Sequence, residues 1–121
     1  MANNNEQTIL KDVVVESIKE KKGKEIIVLD LRKLEQSIAD YFVICHGDSN
    51  TQVDAIADFI EREVRSELQE HMNHKEGADN LQWVLLDYGS VVVHVFLEEY
   101  RRFYNLEDLW ADAKTKLINE E

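Results

Sequence analysis

The chain has 121 residues, 44% of them apolar, with one cysteine and no proline. A chain of this length buries about two thirds of its extended surface, enough for a core without staples, and its apolar share excludes disorder. Its 14 Lys and Arg against 25 Asp and Glu give a net charge of -11; this disfavours non-specific nucleic-acid binding and favours a basic partner.

Residues 1–121 read as a single domain, with 1–7 and 118–121 expected to be loose. One cysteine makes neither an internal disulfide nor a Cys-rich zinc site, which fits a cytosolic protein. Met1 to Gln7 is polar and shows no signal core or Arg-rich transit pattern, so no targeting leader is expected. No apolar run approaches the length of a membrane span.

Ile9, Leu10, Val13, Val14 and Ile18 recur at helical spacing. Gly23 is expected to stop this helix after Lys21 and Lys22, whose charges suit its negative end. Ile26 to Leu31 is a β-branched run and predicts a strand; Asp40 to His46 predicts a second, ended by Gly47. Asp48, Ser49 or Asn50 then caps a long helix with a stripe of Val53, Ile56, Ala57, Ile60, Val64 and Leu68. Gly77 to Asn80 reads as a loop. Trp83 to Tyr88 and Val91 to Phe96 read as strands around Gly89-Ser90, a two-residue type II′ loop. Glu98 to Tyr104 predicts a short helix. Asn105 is expected to cap a last helix through its side chain, with Leu106, Leu109, Trp110, Ala113 and Leu117 as the apolar stripe. The fold class is α/β, a mixed sheet flanked by helices in the order α-β-β-α-β-β-α.

A two-residue loop fixes the hairpin register. Trp83 then faces Phe96, Leu85 faces His94 and Asp87 faces Val92. One face carries Val84, Leu86, Tyr88, Val91, Val93 and Val95, an apolar core face. The other carries Trp83, Leu85, Asp87, Val92, His94 and Phe96. This mixture fits a protein interface, or equally a face covered by the C-terminal helices with Asp87 and His94 hydrogen-bonded.

Catalytic and metal patterns are weak. His71 and His74 share a helical face only if the long helix reaches them, with Glu67 or Glu70 as further ligands, and no third ligand is fixed. Cys45 shares an apolar strand face with Tyr41 and Val43, as a buried inert thiol does. His46 is expected on the opposite face, near the strand end and exposed. His94 has no Ser or Cys placed beside it for general-base work. Gly47-Asp48-Ser49 opens a helix, where phosphate binds in other proteins, but one glycine is not a fingerprint. Asp54 and Asp58 lie on that helix, so no strand carries the paired carboxylates that two-metal nucleotidyl transfer needs.

Asp40-Tyr-Phe-Val-Ile-Cys-His-Gly47, followed by Ser49, Gln52-Val53 and Ala55-Ile56-Ala57, resembles the first signature of the ribosomal silencing factor (Iojap-like) family. The second signature is Trp83-Val-Leu-Leu-Asp-Tyr-Gly-Ser-Val-Val-Val-His-Val-Phe96, then Arg101, Phe103-Tyr104 and Leu106-Glu107-Asp108-Leu109-Trp110. The likeness runs from about Leu10 to Lys114, and His46-Gly47-Asp48-Ser49 departs from the family's usual Ser-Gly turn. The resemblance implies a nucleotidyltransferase-like fold without transferase activity, cofactor or metal. It implies docking on the large ribosomal subunit through that subunit's ribosomal protein fourteen, which blocks small-subunit joining and lowers translation when nutrients are scarce. It also implies a homodimer off the ribosome, bacterial cytoplasmic localisation, and little direct contact with nucleic acid. A small nucleotidyltransferase-like enzyme and a large-subunit assembly factor stand as alternatives.

The expected partner site combines the mixed hairpin face with the segment after it. Trp83 and Phe96 would be anchors, and Asp87, Glu98, Glu107 and Asp108 would meet basic side chains, with His94 hydrogen-bonding at the seam. Tyr88 belongs to the signature although the register turns it inward. Arg101 and Tyr104 would contact the partner or brace the chain, and Trp110 fits either core or interface.

Overall fold

The computed structural model describes residues 2–34, 38–110 and 113–118, with backbone alone for 2–5. Helix α1 (Ala2–Glu20) begins well before the apolar stripe that predicts it. It takes in most of the stretch expected to be loose. Leu10, Val14, Val15 and Ile18 are buried, whereas Ile9 stays half exposed. The helix ends in a Schellman motif: Gly23 N–H donates to Ile18 O at 2.9 Å and Lys22 N–H to Lys19 O at 3.0 Å. The left-handed residue is Lys22, with φ 63°, not Gly23. Gly23 is needed for space instead, since a Cβ there would lie 2.4 Å from Ile18 Cγ2.

Strands β1 (Lys24–Asp30) and β2 (Tyr41–Gly47) are antiparallel. Helix α2 (Asn50–Leu68) is capped by Ser49, whose Oγ accepts Gln52 N–H at 3.1 Å, and buries Val53, Ile56, Ala57, Ile60 and Val64. It stops before His71, so His71 and His74 do not share a helical face. His74 instead lies in an unanticipated edge strand, β3 (His74–Glu76). Strands β4 (Trp83–Asp87) and β5 (Val91–Leu97) form the hairpin in the expected register, Trp83 opposite Phe96 and Leu85 opposite His94. Gly89 supplies the positive φ, 87°, that the two-residue loop requires.

Helix α3 (Glu98–Tyr104) follows as expected. The long last helix does not form. Helix α4 (Leu106–Leu109) is one turn, and Lys114–Leu117 is a strand, β6, paired antiparallel with β1. Asn105 is left-handed, with φ 48°, and closes α3; its side chain donates to Asp108 Oδ2 rather than accepting a helix N–H. Leu109 and Leu117 are exposed, so the expected stripe does not exist as one surface. Residues 111–112 and 119–121 lie outside the described residues; Ile118 N–H donates to Ile26 O at 2.9 Å.

The sheet order is β3-β4-β5-β2-β1-β6, with β2 and β5 parallel and the other pairs antiparallel. It is a mixed α/β fold, with two edge strands more than the predicted order. One face packs under α1 and α2 through Val84, Leu86, Tyr88, Val91, Val93 and Val95, the face read as core from the register. The opposite face forms a second core in which Phe42, Ile44, Val92 and Phe96 meet Leu106 and Ala113. Among the described residues, no helix is long and apolar enough to cross a membrane.

Candidate partner-binding surface

The second sheet face is part core and part surface. Phe96, expected to be an anchor, is fully buried. It lies beneath Trp83, which stacks on it at 4.9 Å between ring centres. Trp83 is half-buried and touches Tyr104 at 4.8 Å, and Tyr104 meets Phe103 edge-on at 5.1 Å. Phe103 is 78% exposed, and Tyr104 and Leu109 are exposed as well. A tier of rings thus rises from core to solvent along β4 and α3. Half-buried Leu85 stands on the same face, two residues along β4 from Trp83. Trp110 is half-buried and packs edge-on to Phe42 at 5.5 Å, which is the core packing open to it.

His94 is 3% exposed and cannot reach a seam between proteins. Its Nδ1 accepts the Trp83 Nε1–H at 3.1 Å, which fixes the indole against β5 and puts the imidazole proton on Nε2. Nε2 is buried with no hydrogen-bond partner among the described residues. Burial pushes its pKa down to about 4, so His94 is a neutral acceptor at physiological pH. General-base work on a ligand is closed to it by the same burial.

The expected acids divide. Asp87 spends Oδ1 on the Gly89 N–H at 2.8 Å and so closes its own turn. Glu107 accepts from Arg101 Nη2 at 2.9 Å and Nε at 3.2 Å. Asp108 and Glu98 remain exposed. Tyr88 points into the core, as the register requires, and burial raises its phenol pKa. Arg101 is 1% exposed, so it braces the chain and does not touch a partner. Besides Glu107 it donates through Nη1 to Lys24 O at 3.3 Å and to His46 Nδ1 at 2.9 Å. His46, expected to be exposed, is 2% exposed at the centre of this network. Burial first, and Arg101 second, lower its pKa.

Ligand atoms of His46, Asp48 and Glu98 lie within 4.8 Å of one another. The group does not suit a metal. With Arg101 donating to Nδ1, the neutral His46 ring carries its proton on Nε2, where a cation would have to bind. Asp48 is paired with Lys24 at 3.5 Å and Glu98 with Arg102 at 3.4 Å. Nor is the Gly47 turn an open phosphate cradle. Gln52 Oε1 accepts the Asp48 N–H at 2.8 Å, and Gln52 Nε2 donates to Lys22 O at 3.0 Å. Asp54 and Asp58 are exposed on α2, and Asp58 pairs with Arg62 at 2.6 Å. Cys45 is buried with Tyr41 and Val43, as the strand pattern required.

Sequence reasoning missed Leu85, Phe103 and Leu109 as surface groups. Leu85 stands on the mixed hairpin face, and Phe103 and Leu109 belong to the second signature; the signal that hid Leu109 was its place on the apolar stripe of a helix that does not form.

Comparison with known proteins gives a consistent picture. The family model described as "Ribosomal silencing factor during starvation" matches residues 3–121. The chain is 43% identical over 112 residues to Ribosomal silencing factor RsfS of Bacillus subtilis, covering 90% of each. It is 29% identical over 107 residues to Mitochondrial assembly of ribosomal large subunit protein 1 of Mus musculus, covering 83% of this chain and 44% of that one. A crystal structure of a Chromobacterium violaceum protein superposes with a TM-score of 0.82 at 34% identity, over 93% of this chain and 92% of that one.

Proposed function

Because the chain belongs to the ribosomal silencing factor family, we propose that it silences ribosomes by docking on the large subunit and occluding the small one. The docking partner is a basic protein surface, that of the subunit's ribosomal protein fourteen. The observation that carries this reading is the ring tier Trp83–Tyr104–Phe103, apolar and open to solvent, together with exposed Leu109 at the end of α4 and Asp108 before it. Interfaces concentrate their energy in such aromatic anchors and set their encounter rate with charged rims. Trp83, held by Phe96 below and His94 behind, is a pre-organised anchor and pays little rotamer entropy on binding.

Occlusion needs no chemistry, which agrees with relatives named as silencing factors rather than enzymes. The same surface would serve a second copy of the chain when no ribosome is present, so self-association and docking would compete. A role in large-subunit assembly is the second reading. It is favoured by the name of the mouse relative and uses the same docking surface.

The test is binding of purified large subunits by Phe103→Ala and Trp83→Ala proteins. Each is expected to lose about 2 kcal/mol or more of binding, roughly thirtyfold. Unchanged affinity in both folded variants would place the docking face elsewhere.

A further inference from the structure

The net charge of -11 is not spread evenly. Asp12, Glu16, Glu20, Glu63 and Glu67 line a cleft between α1 and α2. At the β1–β6 edge the sign reverses. There a groove of about 380 Å³ has Lys11, Arg32, Lys114 and Lys116 on its walls and buried Val28 and Tyr41 on its floor. Among the described residues, Asp30 is the carboxylate that lines it, and the Arg32 guanidinium already holds it through two hydrogen bonds, at 2.9 and 2.7 Å, beside a third from the Arg32 backbone N–H at 3.1 Å. Lys11 is 3.1 Å from Asp12 and lies over the Tyr41 ring. Lys114 and Lys116 are exposed, and among the described residues neither has a carboxylate at ion-pair distance. A second hollow, of about 440 Å³, continues the groove past Arg32 to Lys33.

The backbone sets the spacing. Lys116 pairs with Val28 and Lys114 with Asp30, so β6 is fixed against β1 and its two lysines project on the same face. Residues two apart on a strand stand roughly 6.6 Å apart, which is comparable to the separation of successive phosphates on a nucleic-acid strand. Lysines on an edge strand also deter unwanted strand pairing. That role does not require them to face Lys11 and Arg32 across a groove. Among the described residues, the apolar side chains that line the groove, Val28 and Tyr41, are buried and offer no protruding anchor of the kind a protein partner uses; the charged side chains offer point charges, which suit phosphates.

We propose that the β1–β6 groove receives the phosphate backbone of an RNA strand. It is a contact separate from the aromatic surface on β4 and α3. The docking reading supplies its setting, since a factor seated on a ribosomal protein lies beside ribosomal RNA. Whole-chain charge opposes this contact in the free protein, so the groove is expected to hold an isolated RNA only weakly and at low salt.

The experiment measures anisotropy of a fluorescent RNA hairpin with the full chain, from about 50 to about 200 mM salt. Wild type is expected to bind at low salt. Lys114→Gln/Lys116→Gln is expected to bind about tenfold more weakly, with the slope of log affinity against log salt smaller by about 2. Both positions are exposed, and an unchanged urea midpoint verifies the fold. Absence of hairpin binding, or equal binding by the double variant, overturns the proposal. So does equal competition by polyglutamate, which would make the groove a site for acidic protein. Trp83→Ala separates the two readings: it is expected to bind the hairpin like wild type and to lose large subunits. If both it and Phe103→Ala keep large subunits, the aromatic docking reading fails and the hairpin result for the groove stands.

Discussion

Phe96 and Phe103 are the same side chain with opposite work. Phe96 lies beneath Trp83 with no exposed area, and Phe103 is 78% exposed. Phe96→Ala should therefore cost about 3–5 kcal/mol of stability, and Phe103→Ala less than about 0.5 kcal/mol, both read from urea unfolding. The reverse ranking is expected for subunit binding per folded molecule. His94 gives a pH signature. Its pKa is about 4 when folded, against about 6.5 for a free imidazole. Because the folded value is depressed, its contribution is complete above pH ~6.5 and is lost as pH falls toward 4. It amounts to at most about 3 kcal/mol. His46 shifts in the same direction, and Asp30 and Glu25, held low by Arg32 and Arg102, add their loss at more acid pH. Urea midpoints at pH 7 and pH 5 should show a clear drop; a flat profile would contradict a buried neutral His94. The sequence placed His94 beside Leu85 correctly. It could not say that Trp83 Nε1–H would be its partner, because rotamers at a half-covered face depend on what covers it.

The segment after β5 shows where local pattern and tertiary pairing part. Leu106, Leu109, Trp110, Ala113 and Leu117 have helical spacing, yet Lys114–Leu117 pairs with β1. The open edge of β1 offers four residues a hydrogen-bonded ladder, and this outweighs a weak helix preference. Lys-Thr-Lys-Leu is short, shows no apolar alternation and is exposed throughout, so nothing in it announces a strand. The hairpin was legible for the opposite reason. Its two-residue loop ties register to sequence, and alternation then assigns each side chain to a face. Between these elements sits the Arg101 brace, which joins α3 to the α4 turn through Glu107 and to the end of β2 through His46. Arg101→Ala leaves a half-buried carboxylate unpaired and should cost about 3–5 kcal/mol. Arg101→Lys should recover only part of this, since one ammonium cannot repeat the forked contact. A loss below about 1 kcal/mol in thermal and urea unfolding would show that α3 and α4 are held by packing alone.

Viewed entire, the molecule is a six-stranded sheet with two differently used faces. One is sealed by α1 and α2; the other is sealed at its centre and presents rings at its margin. Total charge read from composition indicated a basic partner but concealed the cationic groove at the β6 edge, since a sum carries no positions. Family membership supports a role in ribosome silencing; occlusion of the small subunit is the mechanism we propose for it. The direct test is sedimentation of separated large and small subunits mixed with the purified protein, followed by addition of the missing subunit. The protein is expected to travel with large subunits alone and to deplete joined ribosomes in proportion to its occupancy, with Phe103→Ala restoring joining. Joined ribosomes forming normally with the protein bound to them would contradict occlusion.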